Sequence, residues 1–233
     1  MLQTRGSTLS IAPIGQAATL RNQAYAMIKR SILAMDLYDG SPRIRLEENQ
    51  IARDLGVSRT PIREALTLLE QEGLVCSVPR RGVFVARKTK RELIEMITVW
   101  AALEGTAAHL AANRADATDL AALSGMFQDF TPASLPDRLN DYAQANIAFH
   151  QAIVRLGGCT LMVEMTANLF LHVRAIRTVS IHQGSRAGRS MSEHAAIVAA
   201  LQARDAERAA ILVRDHALGL AAHVEAHWSL PEP

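Results

Sequence analysis

Apolar positions along the chain fall into two regimes of spacing. Between 20 and 37 they recur at helical intervals (Tyr25, Ile28, Ile32, Leu33), which predicts a first helix. Asp39-Gly40-Ser41-Pro42 reads as a turn. A short helix is predicted over 47–55, closed by Gly56. Ser58 is placed to cap the next helix, which admits Pro61 in its first turn and stops at Gly73. The pattern then changes to two short β-prone runs, 74–78 and 82–86, joined as a hairpin by Pro79-Arg80-Arg81-Gly82. From Lys88 onward it is almost purely helical, in segments near 91–114, 116–130, 135–156, 159–183, 187–203 and 205–228.

Helix, short helix, tight turn, helix and two-stranded ribbon is the layout of a winged helix-turn-helix. The expected fold is therefore mainly α. A winged helix-turn-helix occupies 20–87, and an antiparallel all-α bundle of six or seven helices occupies 91–230. Residues 1–19, rich in Ser, Thr, Gly and Ala without periodicity, are expected to form a flexible arm.

Composition sharpens this division. The 233 residues are 49% hydrophobic, enough for two cores. No apolar run is long enough to cross a membrane, and the N-terminus lacks the apolar stretch of a signal peptide. A cytoplasmic protein is expected, with Cys76 and Cys159 as reduced thiols. The net charge of +2 conceals an asymmetry: residues 1–90 hold 14 Lys/Arg and 8 Asp/Glu (14 − 8 = +6), the remainder 11 and 15 (11 − 15 = −4). The basic half suits a polyanion. All eight histidines lie in the acidic half, from His109 onward.

Four side chains of that half are spaced like ligands of one metal site. Asn146 and His150 lie four apart and share a helix face. His194 lies on an apolar stripe with Ile197, Val198 and Leu201, and His216 on one with Leu212 and Leu220. Buried histidines need partners for their ring nitrogens, and several converging in a bundle find one in a divalent cation. Three imidazoles favour Zn²⁺ or Ni²⁺ over Mg²⁺ or Ca²⁺. The remaining histidines, His109, His172, His182, His223 and His227, read as surface groups or groups beside that site. His223, one heptad after His216, is placed to line the same cavity. Phe149 and Phe170 read as core.

In the basic half, the turn Gly56-Val57-Ser58 delivers a helix whose first turn presents Ser58, Arg59, Thr60 and Arg63. Arginine forks onto guanine or grips phosphate, and hydroxyls at a helix N-terminus suit phosphate oxygens. Arg80, Arg81 and Gly82 form the wing tip. The run Leu-Gly-Val-Ser-Arg-Thr-Pro-Ile-Arg-Glu-Ala-Leu from Leu55, then Leu69-Glu-Gln-Glu-Gly-Leu-Val75 and Arg80-Arg-Gly-Val-Phe-Val85, resembles the DNA-binding domain of the GntR family of bacterial transcription regulators. The resemblance implies that Arg59, Thr60 and Arg63 contact DNA, with Ser58 beside them and Gly82 in the wing. Asp39-Gly-Ser-Pro42 departs from the usual Pro-Gly turn, and Asn49 stands where some members place a DNA-contacting Arg.

The helical half resembles the FCD ligand-binding domain of the FadR-type branch, through Ala102-Leu-Glu-Gly105, Ser192-Glu-His-Ala-Ala-Ile-Val-Ala-Ala-Leu201 and Arg214-Asp-His216. Six helices favour the VanR-like subgroup. Many such domains carry a metal site of Asp-x-x-x-His plus two later histidines, which Asn146, His150, His194 and His216 match with Asn for Asp. The neutral amide leaves the site more positive, which suits an effector carboxylate. Arg174 and Arg177 are placed to meet an anionic effector, and Trp100 stands where many members carry Arg. The resemblance implies a homodimeric, metabolite-responsive regulator, a repressor, that reads a palindromic double-stranded operator and answers a small organic acid. The alternatives are a metal-dependent hydrolase on a helical bundle, and a purely structural metal.

Overall fold

The computed structural model of the chain describes residues 19–35, 37–38 and 42–227. The arm expected at 1–19 and the turn expected at 39–42 lie outside them but for Thr19 and Pro42. The first half runs α1 (Leu20–Ala34), β1 (Arg45–Leu46), α2 (Glu48–Leu55), α3 (Arg59–Gln71), β2 (Val75–Val78) and β3 (Gly82–Val85). Thr19 caps α1, its hydroxyl accepting from the Asn22 amide at 3.3 Å. Ala24, Ile28 and Ile32, four apart, are buried, and α1 packs on α3, whose Ile62, Ala65, Leu66 and Leu69 are buried too. Gly56 closes α2 in the left-handed conformation (φ 65°). The sheet has the order β1-β3-β2 and is antiparallel, with Cys76 opposite Phe84 and Arg45 opposite the same Phe84. Strand β1 was not expected, because two residues carry no periodicity.

The second half holds α4 (Lys90–Arg114), α5 (Ala117–Gly125), a 3-10 turn (Pro136–Arg138), α6 (Leu139–Leu156), α7 (Thr160–Ile181), α8 (Arg186–Gln202) and α9 (Ala206–His227). That is six α-helices among the described residues. A capping box starts α4: the Thr89 hydroxyl accepts from the Glu92 amide, and the Glu92 carboxylate accepts from the Thr89 amide. Helix α5 stops at Gly125, short of the expected 130. The chain turns there, and Phe127 stacks on the His194 ring (4.6 Å, 22°) and meets Phe149 edge-on. Aromatic contact of this half-buried ring with His194 and Phe149 outweighs one more helical turn. Helices α4 and α9 pack along their length. At Gly105 a Cβ would come within 3.1 Å of the Ala210 carbonyl, so the two backbones nearly touch beside Glu104.

The halves meet where Tyr38 accepts from the Lys88 amide (3.3 Å) and donates to His172 Nδ1 (2.8 Å), and where Arg174 donates to the Leu33 carbonyl. His172 is thus no surface group and lies apart from any metal ligand: it is 2% exposed, and burial pushes its imidazole down to about 4, so it stays a neutral acceptor. Cys76 and Cys159 are unpaired.

Candidate metal centre and nucleic-acid interface

The first turn of α3 forms the exposed face of the winged half. Ser58 occupies the N-cap position, but its hydroxyl makes no cap bond and stays available. Arg59, Thr60 and Arg63 are exposed. Both guanidinium groups converge on Glu48 at the start of α2: Arg59 Nη2 at 3.2 Å and Arg63 Nε at 2.8 Å from the same Oε2. The Arg63 hydrogen bond, helped by Arg59, holds the Glu48 carboxyl below the usual carboxylate range. Glu48 went unnoticed in the sequence; the signal was an acid opening the helix that precedes two arginines one turn apart. In the wing, Arg80 and Arg81 are exposed, and Arg81 N closes the turn onto the Val78 carbonyl at 3.0 Å. Arg80 holds a left-handed φ of 62°. Gly82 follows at φ 108°, where a Cβ would meet Arg45 Nε at 3.0 Å.

The second cluster is buried. His150 on α6, His194 on α8 and His216 on α9 bring ligand atoms within 4.8 Å of one another, with each residue at most 3% exposed. The His150 and His216 rings stack at 5.0 Å, and His194 lies 4.7 Å from His216. Asn146, one turn before His150 and 1% exposed, has an Oδ1 with no hydrogen-bond partner.

Each ring is held from outside through Nδ1. His150 Nδ1 bonds Glu104, His194 Nδ1 bonds the Tyr142 hydroxyl at 3.1 Å, and His216 Nδ1 bonds Glu193 at 2.6 Å. Tyr142 in turn donates to Ser190, and Trp100 Nε1 donates to Glu104 at 2.6 Å. These outer acceptors place the ring protons on Nδ1 and leave the Nε2 lone pairs facing inward. His150 Nε2 and His194 Nε2 then oppose each other at 3.4 Å, and His216 Nε2 accepts from Arg177 Nη1 at 3.1 Å. Burial drives all three imidazoles well below their ordinary values, and the Arg177 charge adds to it. They are neutral, ligand-ready bases. Burial also raises Glu104 to about 7 against the pull of Arg177.

The residues present fit a divalent transition ion. Two nitrogens bound tetrahedrally at about 2.05 Å stand about 3.3 Å apart, close to the 3.4 Å between His150 and His194 Nε2. Two inward lone pairs at that distance repel unless an electrophile lies between them. The orphaned Asn146 oxygen supplies a hard fourth donor. Carboxylates on His150 and His216 Nδ1 are the outer support that metal-bound imidazoles use. Glu104, Tyr142 and Glu193 escaped sequence reasoning, because they sit on other helices or other turns from the histidines they hold.

The structure separates the other expected effector residues. Arg177 is 2% exposed beside His216, with Nε and Nη2 unpaired and Glu104 only 3.9 Å from Nη2. Arg174, one turn earlier, points instead to the Leu33 carbonyl at the junction of the halves. His223 bonds Gln183 at 2.6 Å and lines a different cavity with Arg186 and Arg189, away from the three-histidine cluster. Trp100 reaches the cluster only through Glu104. Phe149 and Phe170 lie in the core, as expected.

Comparison with known proteins finds two matching families. The family described as bacterial regulatory proteins, gntR family, matches residues 20–85, and the family described as FCD domain matches residues 95–219. An uncharacterized HTH-type transcriptional regulator in an unstable DNA locus of Streptomyces ambofaciens is 29% identical over 200 residues, 85% of this chain and 82% of its own. The HTH-type transcriptional repressor RspR of Escherichia coli K12 is 26% identical over 188 residues, 81% of each chain. Among solved structures, a GntR transcriptional regulator from Rhodococcus sp. RHA1 superposes with a TM-score of 0.71 at 22% identity, covering 90% of this chain and 99% of its own. E. coli McbR/YncC gives 0.70 at 22% identity, covering 91% and 99%. These two structures share the fold.

Proposed function

The chain belongs to the gntR family of bacterial regulatory proteins, in the branch that carries an FCD domain, and on that footing we propose that it is a homodimeric, metal-dependent, carboxylate-responsive repressor. It is a DNA-binding transcription regulator rather than an enzyme. Among the described residues no helix is long and apolar enough to cross a membrane, and a reader of chromosomal DNA works in the cytoplasm. The name of RspR supports repression. The alternative of a metal-dependent hydrolase gains nothing, since the relatives are named regulators and Glu104 and Glu193 are both committed to imidazoles.

In this reading residues 20–87 are the DNA-binding domain and 91–230 the effector and dimerisation domain. Ser58, Arg59, Thr60 and Arg63 enter the major groove, with Arg80, Arg81 and Gly82 on the backbone beside it. Two copies read two half-sites of a palindrome. His150, His194 and His216 hold a divalent ion, Zn²⁺ or Ni²⁺, with Asn146 as a neutral fourth ligand. The ion, when bound, supplies a Lewis-acidic position for a carboxylate. Arg177 supplies the fixed positive charge beside it: its Nε and Nη2 make no hydrogen bond and are buried donors that an anion would satisfy.

The carrying observation is the convergence of three neutral imidazoles whose outer nitrogens are all engaged. Protein reconstituted with Zn²⁺ or Ni²⁺ and dialysed should hold about one ion per chain by elemental analysis. His194→Ala should hold almost none, and Asn146→Asp should bind more tightly, since a carboxylate replaces an amide. Wild-type protein without metal after reconstitution would overturn the reading.

A further inference from the structure

A cavity of about 300 Å³ opens at the junction of the two halves, apart from the three histidines. One wall comes from the winged half, through Leu33 near the end of α1 and Leu74 before β2. The opposite wall is aromatic. Trp100 and Phe170 line it together, with ring centroids 5.3 Å apart. The volume lies in the range that small-ligand sites occupy, and the lining is mostly apolar, with a few polar groups.

Those polar groups are of one sign. Lys29, Arg155 and Arg174 line the cavity, and no carboxylate does. Lys29 is neutralised by Glu72 at 2.7 Å, and Arg174 is bound to a backbone carbonyl. Arg155 is different. It lies one turn after Gln151 on α6, both line the cavity, and neither side chain has a partner among the described residues. An exposed arginine fork and a half-buried amide one helical turn apart form a donor pair at the cavity rim that no protein acceptor occupies among the described residues. A carboxylate satisfies both, and its apolar body then lies against the indole and phenyl rings.

We propose that this junction cavity is a second ligand site, distinct from the histidine cluster, for a carboxylate with an aromatic body. The ligand touches both halves at once. Its indole neighbour, Trp100, also donates to Glu104, so the same wall that the ligand covers continues to His150.

The chain has two tryptophans, so Trp228→Phe leaves Trp100 as the single indole reporter. In that full-length background, 3-phenylpropanoate should change Trp100 emission saturably. Its uncharged amide should bind roughly tenfold more weakly, the equivalent of one charge-assisted hydrogen bond. Arg155→Glu should weaken the carboxylate by at least that factor and leave the amide nearly unchanged. Ala167→Phe, which fills the cavity from an exposed position of α7, should weaken both. His194→Ala should bind 3-phenylpropanoate as the parent does, whether or not the histidines hold metal. The proposal is overturned if no saturable change occurs, if Arg155→Glu and Ala167→Phe both bind as the parent does, or if binding disappears with His194→Ala, which would move the ligand to the histidine cluster.

Discussion

The two clusters of this protein are built on opposite terms. At the start of α3, two guanidinium groups share one carboxylate in the open, with Arg59 and Arg63 side chains 53% and 62% exposed. In the bundle, three imidazoles share one space with almost no exposure. The exposed cluster costs little to assemble, because water remains around its charges, and its ion pairs contribute at most about 1 kcal/mol each. In the proposed reading it exchanges Glu48 for a phosphate or a base. The buried cluster is expensive to leave unsatisfied, so every outer nitrogen is engaged and the rings are fixed before anything binds. One region is poised to swap partners; the other is shaped to receive one.

The largest effect that tests this contrast lies on the exposed side. Arg59→Ala should cost about 1–3 kcal/mol of discrimination per half-site, doubled in a dimer. The measurement is a salt-dependent titration on an operator selected from random duplexes, against scrambled DNA. Equal losses on both would make Arg59 a phosphate grip, and no loss on either would move the interface elsewhere. Next comes the buried side. Glu104→Gln removes the carboxylate behind His150 and should weaken metal about 10–100-fold in competition with a chelator. Unchanged affinity would mean the ring is held by packing alone. The smallest effect sharpens the contrast most. Glu48→Gln frees two arginines at once, so non-specific DNA affinity should rise by the equivalent of about 0.2–1 kcal/mol, with a steeper salt slope. A drop in operator affinity would instead show that Glu48 aims the arginines and that the exposed cluster is also preorganised.

The two regions also differed in how far they could be read from sequence. The recognition turn is contiguous: the run from Gly56 to Arg63 carries its turn, its N-cap position and its charges in eight residues. The inward histidines were legible for another reason, since each interrupts an apolar stripe and must face the core. Their outer partners were not. Glu104 lies 46 residues from His150, and Tyr142 lies 52 from His194. Only helix packing brings those pairs together. Arg174 and Arg177 looked alike because both lie on α7. Three residues advance a helix by about 4.5 Å, enough to send one to the histidines and the other to α1. The end of α5 is not legible in the sequence, because Phe127 answers to His194, a residue far along the chain.

Arg80 carries a consequence that reaches beyond the wing. An L-residue with a side chain at φ 62° forgoes about 1 kcal/mol relative to a glycine there. The free protein bears that handicap continuously, in every molecule, while the charge it secures at the wing tip matters only during an encounter with a polyanion. If Arg80 meets the DNA backbone as proposed, folding stability is drawn down in advance for a contact made part of the time, which places the thermodynamic burden of that contact on the unbound state.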